Sequence, residues 1–351
     1  MSPRKPALRG GIDLGGTKIQ AVVVDGKWNV LGQARRPTPT EDGPRYVAEE
    51  MADTLREAAL DAGTRPSALT GAGVGSPGDV NEVTGTVSGA RNLPGWEGTF
   101  KLGGWLTKSL GTPVAVGNDV RVASEAEARL GIGRRYKSLL GVFWGTGVGG
   151  GVILNGESWL GRGAAGEIGH MVVRRNGARC TCGRQGCMEA YAGRAAMELK
   201  ARREHARGAK TDLFKLMEKH GHDRLTSGIW ERALNANDAL ATKLVDRAVA
   251  ALGAGIASAV NLLDVEAVII GGGLGVRLGE PYVKRIREAM APHLFKDEHP
   301  PALHVAALGD LGGAIGAAVL SADRDRVARK RARSHSGQRS SIATAASRAS
   351  E

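Results

Sequence analysis

Gly11-Ile-Asp-Leu-Gly-Gly-Thr-Lys-Ile-Gln-Ala-Val-Val-Val-Asp-Gly26 lies over Gly141-Val-Phe-Trp-Gly-Thr-Gly-Val-Gly-Gly-Gly-Val-Ile-Leu-Asn-Gly156 without a gap, at an offset of 130 residues. Each stretch reads as a strand, a tight Gly/Thr turn and a second strand. Each ends in Asp-Gly or Asn-Gly, pairs that favour hairpin turns. The repeat predicts a duplicated two-domain α/β protein with a cleft between its halves. The chain has 351 residues, more than the roughly 250–300 at which a single core stops growing.

Outward from these hairpins, Val47, Met51, Leu55, Ala58 and Ala59 mark one face of a helix from Tyr46 to Ala62. Leu69 to Gly75 is a short buried strand closed by Ser76-Pro77-Gly78. Pro113 to Val116 is another, ending at Asn118-Asp119 before a helix over Arg121 to Leu130. Ala236 to Leu263 predicts a long helix capped by Asn237 or Asp238. Val265 to Ile270 is a buried strand running into Gly271-Gly272-Gly273, and Gly309 to Leu320 is a final Ala/Gly-rich helix. The polar stretch 201–228 mixes helix and loop signals that the pattern does not place.

No apolar run approaches the ~20 residues that span a bilayer. Met1 to Arg9 is basic but lacks the apolar core of a secretory signal. The sequence therefore predicts a cytoplasmic chain with no membrane partner. The net charge is +12, and 321–351 supplies five of it, with eight Lys/Arg against three Asp/Glu. Ala328-Arg-Lys-Arg-Ala-Arg333 and the Ser, Gly, Gln and Ala after it show no apolar periodicity. Residues 323–351 are thus read as a disordered basic tail, either solvated without a partner or weakly drawn to polyanions. No specific nucleic-acid partner is expected.

Three Gly clusters follow strands: Gly15-Gly16-Thr17-Lys18, Gly145-Thr146-Gly147 with the glycines beyond it, and Gly271-Gly272-Gly273. Glycine lets backbone N–H groups face phosphate oxygens, and Thr17 and Thr146 add hydroxyls. None matches the Walker pattern. Each alone is equally a plain hairpin turn; together they point to a nucleotide site. Asp13, two residues before the first turn, is placed to hold Mg²⁺ through waters, or is a satisfied buried acid. Asn118-Asp119 ends a strand, where α/β sheets gather ligands. A carboxylate there can take the proton of an attacking hydroxyl, or simply cap the following helix.

His170, Cys180, Cys182 and Cys187 give H-x9-C-x-C-x4-C. An odd number of cysteines in one window is no disulfide framework. Three thiolates and an imidazole form the closed tetrahedral set of structural Zn²⁺, which leaves no position for catalysis. Gly183 and Gly186 allow tight turns between the ligands. Glu167 and Glu189 flank this loop. They either bind sugar hydroxyls, as carboxylates do well, or only satisfy the loop. The second nitrogen of His170 has the same choice.

Taken together, Asp13-Leu-Gly-Gly-Thr-Lys18, Asn92-Leu-Pro-Gly-Trp96, Asn118-Asp119, Glu167-Ile-Gly-His170 and Cys180-Thr-Cys-Gly-Arg-Gln-Gly-Cys-Met-Glu189 resemble the ROK family of repressors and sugar kinases, in order from about residue 10 to 320. Within it the likeness is to bacterial glucokinases. The resemblance implies an actin-like, ribonuclease-H-like fold. Its domains would be 8–119, completed by the C-terminal helix at about 309–322, and 120–308, carrying the zinc loop. It implies an ATP-dependent kinase for a hexose 6-hydroxyl, with glucose first and Asp119 as general base. Asn92, Asn118, Asp119, Glu167, His170 and Glu189 would line the sugar pocket. Asp13, Gly15, Gly16, Thr17, Lys18, Gly145, Thr146 and Gly147 would serve Mg²⁺ and the phosphates, with Gly271, Gly272 and Gly273 near the adenosine. Homodimers or homotetramers are usual in such a family.

Two departures bear on the sugar edge. Val120-Arg121 follows Asp119 where the family commonly has Ala-Asn, and Arg91 stands where Pro often precedes Asn92. Other hexoses (N-acetylglucosamine, mannose, fructose) and polyphosphate as donor are the alternatives. A sugar-responsive repressor would need a helix-turn-helix domain ahead of the first strand, and the sequence leaves no room for one there.

Overall fold

The apolar runs on either side of the first Gly/Thr turn pair antiparallel as β1 (Arg9–Leu14) and β2 (Lys18–Val24), with Leu14 opposite Ile19. The computed structural model describes residues 7–39, 43–90, 93, 95–296 and 298–323. They form two units. One holds the described residues up to Ala123 and from Gly313 on; the other is Ser124–Gly312.

In the first unit β3 (Val30–Pro37), α1 (Gly43–Asp61) and β4 (Gly71–Ser76) follow the hairpin. A small sheet of β5 (Asp79–Asn81), β6 (Thr86–Ser88) and β7 (Thr99–Phe100) comes next. Then come α2 (Leu102–Leu110), β8 (Val114–Asn118) and α3 (Asp119–Arg129), which runs across the unit boundary. The main sheet has the order β3-β2-β1-β4-β8, with β1, β4 and β8 parallel. One face buries Ile12, Leu14, Ile19 and Val74 against Val47, Met51 and Leu55 of α1.

The second unit carries β9 (Leu139–Trp144), β10 (Val148–Leu154) and β11 (Glu157–Ser158), then the helices α4 (Glu189–Ala192), α5 (Arg194–Ala206), α6 (Leu213–Lys219), α7 (Ser227–Asn235) and α8 (Ala239–Leu263). It closes with β12 (Ala267–Gly271), α9 (Gly272–Met290) and β13 (Ala302–Val305). Its sheet has the order β11-β10-β9-β12-β13, with β9, β12 and β13 parallel. Both sheets therefore run third, second, first, fourth, fifth, so the duplication read from the hairpins extends to the whole sheet. A last helix, α10 (312–323), returns to the first unit.

The gap-free overlay holds only for the first strand of each hairpin. Leu14 faces Ile19 across a turn closed by Gly15 N–H donating to Lys18 O at 2.9 Å. Trp144 faces Val148 across a turn one residue shorter, closed by Gly145 N–H donating to Gly147 O at 3.0 Å. Val152 therefore occupies the place of Val23. Alternation in a strand turns such a slip into a change of face, and Gly149, Gly150 and Gly151 absorb it. The second turn pairs differ too. Asn155-Gly156 makes a two-residue turn with φ of 54° and 79° between Leu154 and Glu157. After Asp25-Gly26 the chain instead takes a longer loop, in which the Asp25 carboxylate accepts the N–H groups of Lys27 at 2.8 Å and Asn29 at 2.9 Å.

The stretch 201–228 resolves into the end of α5, α6 and the start of α7. Contrary to the expectation that no run approaches bilayer length, α8 is long and apolar enough by length and composition, yet 67% of that stretch is buried in the protein. Its apolar character serves the core of the second unit. There a Cβ at Gly253 would lie 2.6 Å from the Ala289 side chain of α9. Residues 324–351, which hold nearly all of the expected basic tail, lie outside the described residues.

Candidate active site

In the first unit the candidate acids stand at the carboxyl ends of parallel strands, the place α/β sheets offer to ligands. Asp13 is in register with Gly75, Gly75 with Gly117, and Ser76 with Asn118. A Cβ on Gly75 would lie 3.3 Å from Asp119 Cα and 3.8 Å from Asp13 Oδ1, so the two acids flank one glycine. Asn118 Oδ1 accepts the N–H of Arg121 at 3.2 Å, which makes Asn118 the cap of α3. Asp119 is the first helical residue, its Oδ1 accepting the Val120 N–H at 2.9 Å. Asn118 and Asp119 thus each accept an N–H of the first turn of α3.

The turn of Gly15, Gly16, Thr17 and Lys18 is braced by a residue the sequence did not single out. Thr38 Oγ1 donates to Gly15 O at 2.6 Å and Thr38 N–H to Thr17 O at 3.2 Å. A Cβ on Gly313, at the start of α10, would lie 2.6 Å from Asp13 Cγ. Only a residue without a side chain at 313 lets the start of α10 lie this close to the Asp13 carboxylate. Asn92 lies outside the described residues.

In the second unit the ligand atoms of His170, Cys180, Cys182 and Cys187 lie within 4.8 Å of one another. Cys182 Sγ is 3.7 Å from Cys187 Sγ, and Cys180 Sγ is 3.8 Å from His170 Nδ1. Zn–S bonds of about 2.3 Å at tetrahedral angles set sulfurs about 3.8 Å apart, so the set fits zinc. The loop earns this shape from two bridges, Val172 to Cys187 and Arg179 to Gln185. Gly183 and Gly186 supply φ of 91° and 84°. Burial, then the neighbouring thiols, push the Cys187 thiol up to about 12, and burial pushes Cys180 up as well. At Cys182 burial also pushes up, but the Arg184 N–H and the adjacent thiols outweigh it and leave the thiol lowered. Thiols so crowded ionise together only with a cation among them.

The flanking carboxylates come with this loop. His170 turns Nδ1 to the thiols and Nε2 to Glu167 Oε2, 3.9 Å away. Glu189 opens α4, its Oε2 accepting the Val148 N–H at 2.9 Å and its Oε1 lying 3.4 Å from Thr181 Oγ1. Glu189 therefore ties the cysteine loop to the turn of Gly145, Thr146 and Gly147. That turn also meets the third Gly cluster: a Cβ on Gly145 would lie 3.8 Å from Gly273 N. Gly271 ends β12, while Gly272 (φ 79°) and Gly273 open α9. A third residue missed by the sequence, Arg194, donates to Thr146 Oγ1 at 2.9 Å. Thr38, Gly313 and Arg194 share a reason for escaping notice, since each acts through a contact distant in the chain, which local pattern does not encode.

A model of the ROK family matches residues 9–324. A protein named glucokinase from Halalkalibacterium halodurans is 33% identical over 309 residues, covering 87% of this chain and 92% of that one. One named N-acetylgalactosamine kinase from a Shewanella species is 32% identical over 319 residues, covering 88% and 95%. The solved structure of a ROK family glucokinase from Streptomyces griseus, in complex with glucose and AMPPNP, superposes with a TM-score of 0.77 at 30% identity, covering 90% of this chain and 99% of that one.

Proposed function

The chain belongs to the ROK family and has its actin-like α/β fold; with that as premise we propose that this ATP-dependent sugar kinase phosphorylates the 6-hydroxyl of a hexose, glucose foremost. The observation that supports it most is the pair Asp13 and Asp119 flanking Gly75 at the ends of parallel strands. Asp119 takes the hydroxyl proton as the sugar oxygen attacks the γ-phosphorus; the O–P bond to ADP breaks, and the proton stays on the Asp119 carboxyl until solvent removes it. Asn92, Asn118, Glu167, His170 and Glu189 hold the sugar hydroxyls. Asp13 and the turns of Gly15 to Lys18 and Gly145 to Gly147 hold the metal-bound phosphates, with Gly271 to Gly273 at the adenosine. When bound, Mg²⁺ neutralises charge on the β- and γ-phosphates. His170, Cys180, Cys182 and Cys187 hold a structural Zn²⁺ that stiffens the loop carrying Glu167 and Glu189. We place the chain in the cytoplasm, where ATP and free hexose meet, as a homodimer or homotetramer.

A coupled ADP-release assay over a hexose panel tests this. Glucose with MgATP is expected to give the highest kcat/KM. N-acetylated hexosamines belong in the panel because the Shewanella relative is named for one. Asp119→Asn is expected to lower kcat by about 10²–10⁴ while sugar binding persists. Near wild-type turnover in that variant removes Asp119 from the role of base.

A further inference from the structure

Arg194 is the first residue of α5, and its position is fixed twice over. Its own N–H donates to Gly145 O at 3.0 Å, and the next N–H, of Ala195, to Thr146 O at 3.0 Å. The guanidinium is half-buried. Nη2 donates to Thr146 Oγ1 at 2.9 Å and Nη1 to Ser227 Oγ at 3.3 Å. Ser227 Oγ in turn lies 3.5 Å from where a Cβ on Gly273 would sit. One Gly cluster thus holds this arginine directly, and a second lies beside its other hydroxyl partner.

Among the described residues the Arg194 guanidinium has hydroxyl partners and no anionic one. The nearest candidate along the helix, Glu198, is already engaged by Arg202 Nε at 2.9 Å, Arg202 Nη2 at 2.6 Å and the Leu225 N–H at 2.9 Å. Burial and then the charge of Arg224 press on the guanidinium, and only Glu198 opposes them. An arginine stays charged even so. A partly desolvated charge with only neutral hydroxyls as partners is costly, and it becomes favourable when a polyanion arrives. The hydroxyls suit that arrival. Each spends a lone pair on the guanidinium, which leaves its own O–H to donate outward.

We propose that Arg194 is a donor-binding residue whose guanidinium, with the hydroxyls of Thr146 and Ser227, holds an oxygen of the phosphate chain beside Gly145 and Gly273. This rests on the nucleotide reading of those two Gly clusters. The recognised chemistry is a phosphoryl chain, whether carried by adenosine or free as inorganic polyphosphate.

The test uses the full chain, with Arg194→Gln and Arg194→Lys. MgADP, adenosine and inorganic tripolyphosphate are titrated calorimetrically, and KM is measured for ATP and for glucose. Arg194→Gln is expected to weaken MgADP binding and raise the KM for ATP about tenfold or more, the scale of a lost charge-assisted bond. Adenosine binding and the KM for glucose should move less than about twofold. Arg194→Lys, which keeps a point charge without the fork, should recover part of the loss, and it decides the matter alone if the Gln variant does not fold. A parallel fall for tripolyphosphate means that the free chain uses the same contact; a fall for MgADP alone assigns it to the nucleotide. If MgADP and adenosine weaken together, or neither does, Arg194 is only a strut and the proposal is overturned. If the wild-type chain does not bind MgADP, the nucleotide reading itself has failed, a result distinct from the other.

Discussion

At Gly73 on β4 an added Cβ would run into the backbone carbonyl of Ala317, and at Gly11 on β1 into that of Ala314. The final helix therefore meets the sheet backbone to backbone, through positions where any side chain would act as a wedge. The same helix carries Gly313 to within 2.6 Å of Asp13 Cγ, counted from its absent Cβ. Gly73→Ala is expected to destabilise the first unit by about 1–3 kcal/mol, the usual cost of overpacking a filled interior. Urea unfolding followed by far-UV circular dichroism measures it, and an unchanged midpoint would mean that the helix shifts without strain. Nothing local distinguishes Gly73 among 52 glycines, because its partner lies at residue 317. By contrast, the gathering of His170, Cys180, Cys182 and Cys187 was legible from spacing alone, since donor chemistry and short-range geometry both sit in the sequence.

Among the elements, α8 shows how one cap can serve two places. Asp238 Oδ1 accepts the Ala241 N–H at 2.8 Å, which closes the helix start, while Oδ2 accepts from Thr211 Oγ1 at 2.8 Å and the Asp212 N–H at 2.7 Å. Asp238→Ala removes all three bonds at the entrance to the longest core helix. The expected loss is about 2 kcal/mol, above the ~1 kcal/mol typical of a cap. Asp238→Asn should lose less, because its amide oxygen still caps. Equal midpoints for the Ala variant and wild type in guanidinium would count against this account. The cap was legible, as were the hairpins, because Asp before an apolar run and paired apolar runs are local signals. The one-residue slip between the hairpins was not. A gap-free match of residue types is indifferent to turn length, and turn length, not composition, sets register. The opening of α9 at Gly272 was also hidden, since three glycines after a strand carry no helix signal.

For the molecule as a whole, the physics points to two cores stabilised by different means. The first unit closes on Ile12, Leu14, Met51 and Leu55 around its own sheet. The second closes on Trp144, Met188, Trp230 and Ile256, and its core includes Met188, the residue next to the ligand Cys187. Trp144 Nε1 donates to Ala192 O at 2.7 Å, at the end of the short helix that Glu189 begins. A tryptophan of the second core is thus bonded to the element issuing from the cysteine loop. Units with separate cores need not unfold together, and a structural zinc site contributes several kcal/mol of folding free energy to the unit that holds it. Metal removal should therefore weaken the second unit alone. Elemental analysis is expected to find one zinc per chain, lost in Cys182→Ser. Scanning calorimetry of that variant, or of the chelated protein, should replace one transition by two. The earlier one should carry the red shift of Trp144 and Trp230 emission, both fully buried in the intact protein. The later one should carry the signals of Trp28, Trp96 and Trp105 in the first unit. A single transition at an unchanged midpoint after verified zinc loss would show that the four ligands pack adequately without an ion, and the structural role assigned to zinc would then have to be withdrawn.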